Sequence, residues 1–164
     1  MTIETKLDFK RYLELMFAMA YRKPIMIIYN LLGSILLTLP LLYFLGGKIP
    51  YDKPPYFQLV FAVFIIALLP FSVYTSAKKN FASPGKLREK IIYEITEENI
   101  LMTGETFELK IEWEKIHKIM ELKKWVLIYP NKKAAFILPK EAFGESISEF
   151  RTLVRSKKFI RFNS

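Results

Sequence analysis

The sequence predicts an α+β membrane protein. A two-helix transmembrane hairpin lies near the N-terminus, and a small antiparallel β domain with a C-terminal helix follows it. Three observations carry this reading. Two uncharged stretches of 24 residues, 24–47 and 54–77, are separated by six residues. Beyond them the apolar period drops to two, as in half-buried strands. At the end of the chain it lengthens again to helical spacing.

The two apolar stretches come first. A bilayer core of ~30 Å takes ~20 helical residues, and each stretch has that length with a little to spare. A buried helix of a water-soluble domain shows a polar face over such a length. Neither stretch has one, which sets spans at about 24–46 and 56–77. Pro40 and Pro70 lie inside them, where membrane helices tolerate proline with local kinks. Asn30 either bonds across to the second helix or sits at headgroup depth. Gly33 and Ser34 are small enough for close helix contact. Tyr29, Tyr43, Tyr51, Tyr56 and Tyr74 cluster toward the ends, where amphipathic rings favour the interface. The connection 48–53 (KIPYDK) is short enough to force an antiparallel hairpin. The first stretch starts too late and runs too long for a cleavable signal peptide.

Orientation follows from the flanking cations. Lys6, Lys10, Arg11, Arg22 and Lys23 precede the first span, and Lys78, Lys79, Lys86, Arg88 and Lys90 follow the second. The connection holds only Lys48 and Lys53. Both termini are therefore expected in the cytoplasm of a multi-pass protein of the cell (inner, plasma) membrane. Residues 1–23 form a leader. Its stretch 8–22 places Leu13, Met16, Phe17, Ala20 and Tyr21 at helical spacing opposite Lys10, Arg11 and Glu14, an amphipathic pattern. That helix lies at the inner leaflet, extends the first span, or packs on the C-terminal domain. Ahead of it Ile3, Thr5 and Leu7 alternate with Thr2, Glu4 and Lys6, which allows a short strand able to join the sheet of the C-terminal domain.

The cytoplasmic domain spans 86–158, after a turn-rich boundary at 81–86. Strands are expected over 91–95, 100–103, 107–113, 118–122, 125–129 and 134–138, with tight turns between them, as in an antiparallel meander. Phe143, Ile147, Phe150 and Val154 then mark one face of a helix over about 146–156. Arg151, Arg155, Lys157 and Lys158 favour its C-terminal end. The result is a curved sheet closed by an amphipathic helix.

This order of motifs resembles the bacterial YcxB-like membrane proteins. Residues 93–100 (YEITEENI) look like that family's opening strand and turn. Residues 111–116 (IEWEKI) look like its tryptophan-bearing strand end. Residues 136–143 (FILPKEAF) resemble its I-P-K-x-x-F segment, and Glu149 with Phe150 matches its acidic–phenylalanine pair. The resemblance implies a domain similar to bacterial pleckstrin-homology-like (PH-like) domains. It implies no established activity.

Composition removes several classes of function. There is no cysteine, so disulfides, thiol catalysis and cysteine-ligated metals are excluded. His117 is the one histidine, too little for a zinc site or a catalytic base. Nothing resembles a phosphate loop, a serine–histidine–acid set or a paired-carboxylate site; Glu97 and Glu98 share a solvated turn. No catalytic, cofactor-binding or metal residue is nominated, and no cofactor is expected. The net charge of +9 is read as attraction to anionic lipid headgroups and not to nucleic acid, because acids and bases are interspersed.

Trp113 is assigned to the core. Pro139 ends a strand, and Lys140 either faces solvent or meets phosphate at the membrane surface. Three basic groups, Lys123 with Lys124, Lys132 with Lys133, and Lys157 with Lys158 and Arg161, are candidates for lipid contact, the first two as neighbouring hairpin turns. The expected role is a non-catalytic membrane protein whose cytoplasmic domain binds a partner protein or anionic lipid headgroups. The alternative is an accessory or regulatory subunit of a membrane transport or export complex.

Overall fold

A computed structural model describes residues 1–47, 51–83, 88–132, 134–157 and 160–163. Residues 48–50 of the expected connection and 84–86 of the expected boundary lie outside them. The chain divides into two compact units: Met1–Asp8 with Gly85–Ser164, and Phe9–Pro84.

The helical unit holds α1 (Phe9–Tyr21), α2 (Pro24–Phe44) and α3 (Tyr56–Ala82). Pro24 opens α2, where its missing N–H has no intrahelical partner to lose. Both α2 and α3 are long and apolar enough to cross a membrane. They run through Pro40 and Pro70 as single helices. Gly33 is where they approach: a Cβ there would lie 2.8 Å from Ile66 Cγ1 and 3.3 Å from Ile65 Cγ2. Asn30 does not bond across. Its Nδ2 donates to its own helix, at Met26 O, over 2.8 Å.

The amide that does cross is Gln58, half-buried near the start of α3. Its Nε2 donates to Leu36 O at 3.1 Å. Leu36 is the residue four before Pro40, so its carbonyl is the one that proline strips of an N–H donor. Tyr51 closes the arrangement by donating its hydroxyl to Gln58 Oε1.

Helix α1 runs antiparallel along the C-terminal part of α3. Phe9 meets Tyr74 and Phe81 at ring-centroid distances of 6.0 and 5.6 Å, and Tyr12 meets Phe81 at 5.7 Å. At its other end Ala20 and Tyr21 reach Leu69 and Val73. Packing of α1 along the second long helix was not among the three placements left open by the sequence.

The β unit begins with β1 (Thr2–Lys6), part of the leader in sequence. β1 pairs antiparallel with β2 (Lys90–Ile95), Ile3 opposite Tyr93 and Lys6 opposite Lys90. β3 (Asn99–Thr103) and β4 (Glu108–Glu112) complete a sheet of order β1-β2-β3-β4. A 3-10 turn at Trp113–Lys115 then breaks the meander. β5 (Lys118–Glu121), β6 (Trp125–Tyr129), β7 (Phe136–Pro139) and β8 (Arg161–Asn163) form a second sheet, order β7-β6-β5-β8. Two sheets thus replace the single curved sheet expected from sequence, and β8 adds one parallel pairing to β5.

Between the sheets lies one core: Ile3, Tyr93, Ile95, Ile100, Met102, Trp113, Ile119, Val126, Ile128 and Leu138 are among its members. Trp113, 1% exposed, donates Nε1–H to Thr96 O at 3.0 Å. Helix α4 (Ile147–Ser156) closes one end with Phe150 and Val154. Phe143 precedes it in the 3-10 segment Lys140–Ser146, its ring 5.0 Å from that of Phe150. That segment bends at Gly144, whose φ of 52° suits a residue without Cβ.

Candidate functional site

Glu121 is the most constrained charged group described. In β5 the alternation that buries Ile119 also turns Glu121 inward, and its side chain is 6% exposed. Two cations meet it there. Arg151, from α4, donates Nε to Oε1 and Oε2 at 3.2 and 3.1 Å and Nη2 to Oε1 at 2.5 Å. Lys140, just past β7, places Nζ 2.5 Å from Oε1, while its backbone N–H donates to Lys124 O at 2.9 Å. Arg151 first, then Lys140, hold the Glu121 carboxyl down at about 2 against the opposing effect of burial.

A carboxylate so paired is a weak base and has no proton to give near neutrality, so it is a poor acid–base catalyst. What it does is tie β5, the end of β7 and α4 together. The sequence reading had Lys140 either solvated or facing phosphate; it is instead engaged by Glu121. The cluster itself went unrecognised, although a glutamate two places after an inward isoleucine was a signal for it.

The basic turns separate. Lys123 and Lys124 lie between β5 and β6, and Lys132 follows β6. They stand at opposite ends of that five-residue strand, roughly 17 Å apart at the usual rise. Both are turns of consecutive hairpins, as expected, but consecutive turns of a meander alternate ends, so the two do not make one basic surface. Lys133, Lys158 and the side chain of Arg161 lie outside the described residues. Lys157 donates Nζ to Glu97 O at 2.6 Å, joining the end of α4 to the β2–β3 turn. Glu97 and Glu98 are exposed in that turn, where Thr96 Oγ1 accepts the N–H groups of Glu98 and Asn99. His117 is exposed, with its backbone N–H on Tyr129 O at 2.8 Å. Among the described residues no group of three or more His, Asp or Glu gathers as a metal ion needs.

Two hollows flank the core. A cavity of about 170 Å³ opens where Leu7 leaves β1 and Glu89 leads into β2. Its floor includes Tyr93, hydrogen-bonded to Thr5, with its hydroxyl pKa pushed up by burial. At the other end of β2 a wider groove of about 630 Å³ runs beside α4. Ile95 and Leu153 give it apolar surface, and Glu97, Glu149 and Thr152 give it a polar rim.

A profile of the YcxB-like protein family matches residues 95–154. Neither a curated protein nor a solved structure matches the chain. The matched stretch runs from the end of β2 into the last turns of α4 and contains Trp113, Glu121, Lys140 and Arg151. Residues 95–154 are therefore a YcxB-like domain.

Proposed function

We propose that this chain is a non-catalytic protein of the bacterial cell membrane, anchored by α2 and α3 with both termini in the cytoplasm, whose β unit binds a partner protein. The observation that carries the anchor is the exposure of the helices. Only 11% and 6% of the most apolar windows of α2 and α3 are buried, and Ile27, Ile28, Leu31, Phe57, Val60 and Phe64 are all more than half exposed. The core helix of a soluble protein buries such side chains; a bilayer solvates them.

The groove beside α4 favours a protein partner for the β unit. An apolar floor with a polar rim suits a peptide or protein surface. The lipid version of binding by this unit loses support, because its basic turns stand at opposite ends of β6. A photo-crosslinker at Thr152, on the groove rim, is expected to give a discrete protein adduct in native membranes, and one at Lys132 is not. Equal or absent adducts at both positions refute the groove as a docking site.

A second reading, an accessory or regulatory subunit of a transport or export complex, draws on α2. Asn30, Ser34 and Thr38 repeat every four residues, with Ser34 and Thr38 exposed and bonded back to Asn30 O and Ser34 O. Such a line is a common contact between membrane helices. Its signature is co-purification with a multi-span protein; a lone hairpin from native membranes counts against it.

A further inference from the structure

A strand at the edge of a sheet carries backbone groups that another strand can pair with. β4 is such an edge in the β1-β2-β3-β4 sheet. Four of its five residues are exposed, and only Ile111 is buried. Leu109 is 37% exposed, although Met102, opposite it on β3, is buried. Among the described residues of the β unit, Leu109 is the one large apolar side chain left exposed. Its neighbours Glu108 and Lys110 form no ion pair among the described residues.

The pairing of β4 with β3 decides which backbone groups stay free. Gly104 N–H donates to Phe107 O at 2.8 Å, and the register continues through Met102 opposite Leu109 and Ile100 opposite Ile111. Bonded pairs alternate along an antiparallel ladder, so Phe107, Leu109 and Ile111 turn their backbone groups to β3. Glu108, Lys110 and Glu112 turn theirs to the open edge. An identical strand laid antiparallel must set outward residues against outward residues, so the two-fold axis passes through a residue and not between two. An axis at Glu108 opposes two glutamates. One at Lys110 opposes two lysines and sets Glu108 against Glu112. One at Ile111 centres on a buried side chain and uses Glu112, which already meets Lys115 at 3.0 Å. An axis at Leu109 sets Glu108 against Lys110 twice, forms four backbone hydrogen bonds and brings the two exposed leucines together.

We propose that β4 is a self-association edge, on which a second copy of this chain pairs antiparallel about Leu109, with Glu108 of each copy facing Lys110 of the other. Charges that guard an edge against pairing repel an incoming strand; in this register the charges of β4 attract it. The contact is small. Its strength rests on the proposed anchor, which confines both copies to one bilayer and raises their effective concentration. It shares no residue with the groove beside α4.

The test uses the full chain, which has no cysteine of its own, in native membranes. A Leu109→Cys chain places the two thiols across the axis, in a pair whose Cα atoms lie ~4.5 Å apart, close enough for a disulfide. Under a mild oxidant it should form disulfide dimers about tenfold faster than a Lys123→Cys chain, whose cysteine is also exposed. Adding Glu108→Lys to Leu109→Cys should slow the crosslink about tenfold, because both opposed pairs become repulsive. Adding Lys110→Glu as well should restore it. Equal rates for Leu109→Cys and Lys123→Cys, an unchanged rate with Glu108→Lys, or no recovery in the charge-swapped chain overturns the pairing and leaves the anchor standing. A chain absent from the membrane fraction overturns the anchor and the pairing together.

Discussion

Replacing Gln58 by leucine isolates one polar contact between the two long helices. Gln58 Nε2 donates to Leu36 O at 3.1 Å, and Leu36 O is the carbonyl that Pro40 cannot serve. An interhelical hydrogen bond in a membrane contributes ~0.6 kcal/mol on average and up to ~1.7. An orphaned carbonyl adds ~1–3 kcal/mol where no water reaches it. Gln58 is half-buried near the start of α3, where some water competes, so Gln58→Leu should destabilise the hairpin by about 1–2 kcal/mol. The same change in a Pro40→Ala background should cost less than half as much, because residue 40 then supplies its own N–H to Leu36. The four proteins form a double-mutant cycle with an expected coupling of about 1 kcal/mol. Reversible unfolding in mixed detergent micelles, followed by far-ultraviolet circular dichroism, measures each. Equal costs of Gln58→Leu in the two backgrounds would show that Gln58 does not serve the carbonyl freed by Pro40.

Two further expectations test the packing of each unit. The folded Glu121 carboxyl sits at about 2, below its ordinary value of 4.5, so its ion pairs stabilise the fold fully above pH 4.5. That contribution is lost as pH falls through 4.5 toward 2. Glu121→Gln should be less stable at neutral pH, and the gap to the parent should narrow across that window in acid titrations of folding; a constant gap would remove the cluster from the stability of the unit. Gly33→Leu should force α2 from α3, since even a Cβ would lie 2.8 Å from Ile66 Cγ1. A loss of about 1–3 kcal/mol is expected in the micelle assay, and parent-like stability would mean that the helices do not meet there.

What was legible in the sequence follows from how far each determinant lies along the chain. The long helices were legible because an apolar solvent leaves a run with no polar face, and 24–47 and 54–77 are such runs. The strands were legible through alternation, most clearly Leu109, Ile111 and Trp113 against Lys110, Glu112 and Glu114. The split into two sheets was not, because it depends on the turn at Trp113–Lys115 and on Trp113 reaching back to Thr96. The strand at β1 was visible as a pattern, but its partner lies beyond the whole helical unit, a distance over which local periodicity carries no information. β8 was missed because a three-residue strand with one apolar side chain, Phe162, has no measurable period. Gln58 was hidden for another reason: one amide barely lowers the hydropathy of its stretch, and its meaning depends on Pro40 in a different helix. Among the candidate site residues, Trp113 took the core position expected of it. Lys140 did not stay free, because the carboxylate that binds it comes from β5, nineteen residues earlier.

The chain contains no cysteine, so single cysteines report topology without a background. Asp52, exposed between α2 and α3, and Glu98, exposed in the β2–β3 turn, are the two positions to compare. In intact spheroplasts a membrane-impermeant maleimide should label the Asp52→Cys chain and should label the Glu98→Cys chain only after lysis. Protection of both chains until lysis, or labelling of both without it, would contradict a hairpin that crosses the membrane and keeps the β unit in the cytoplasm.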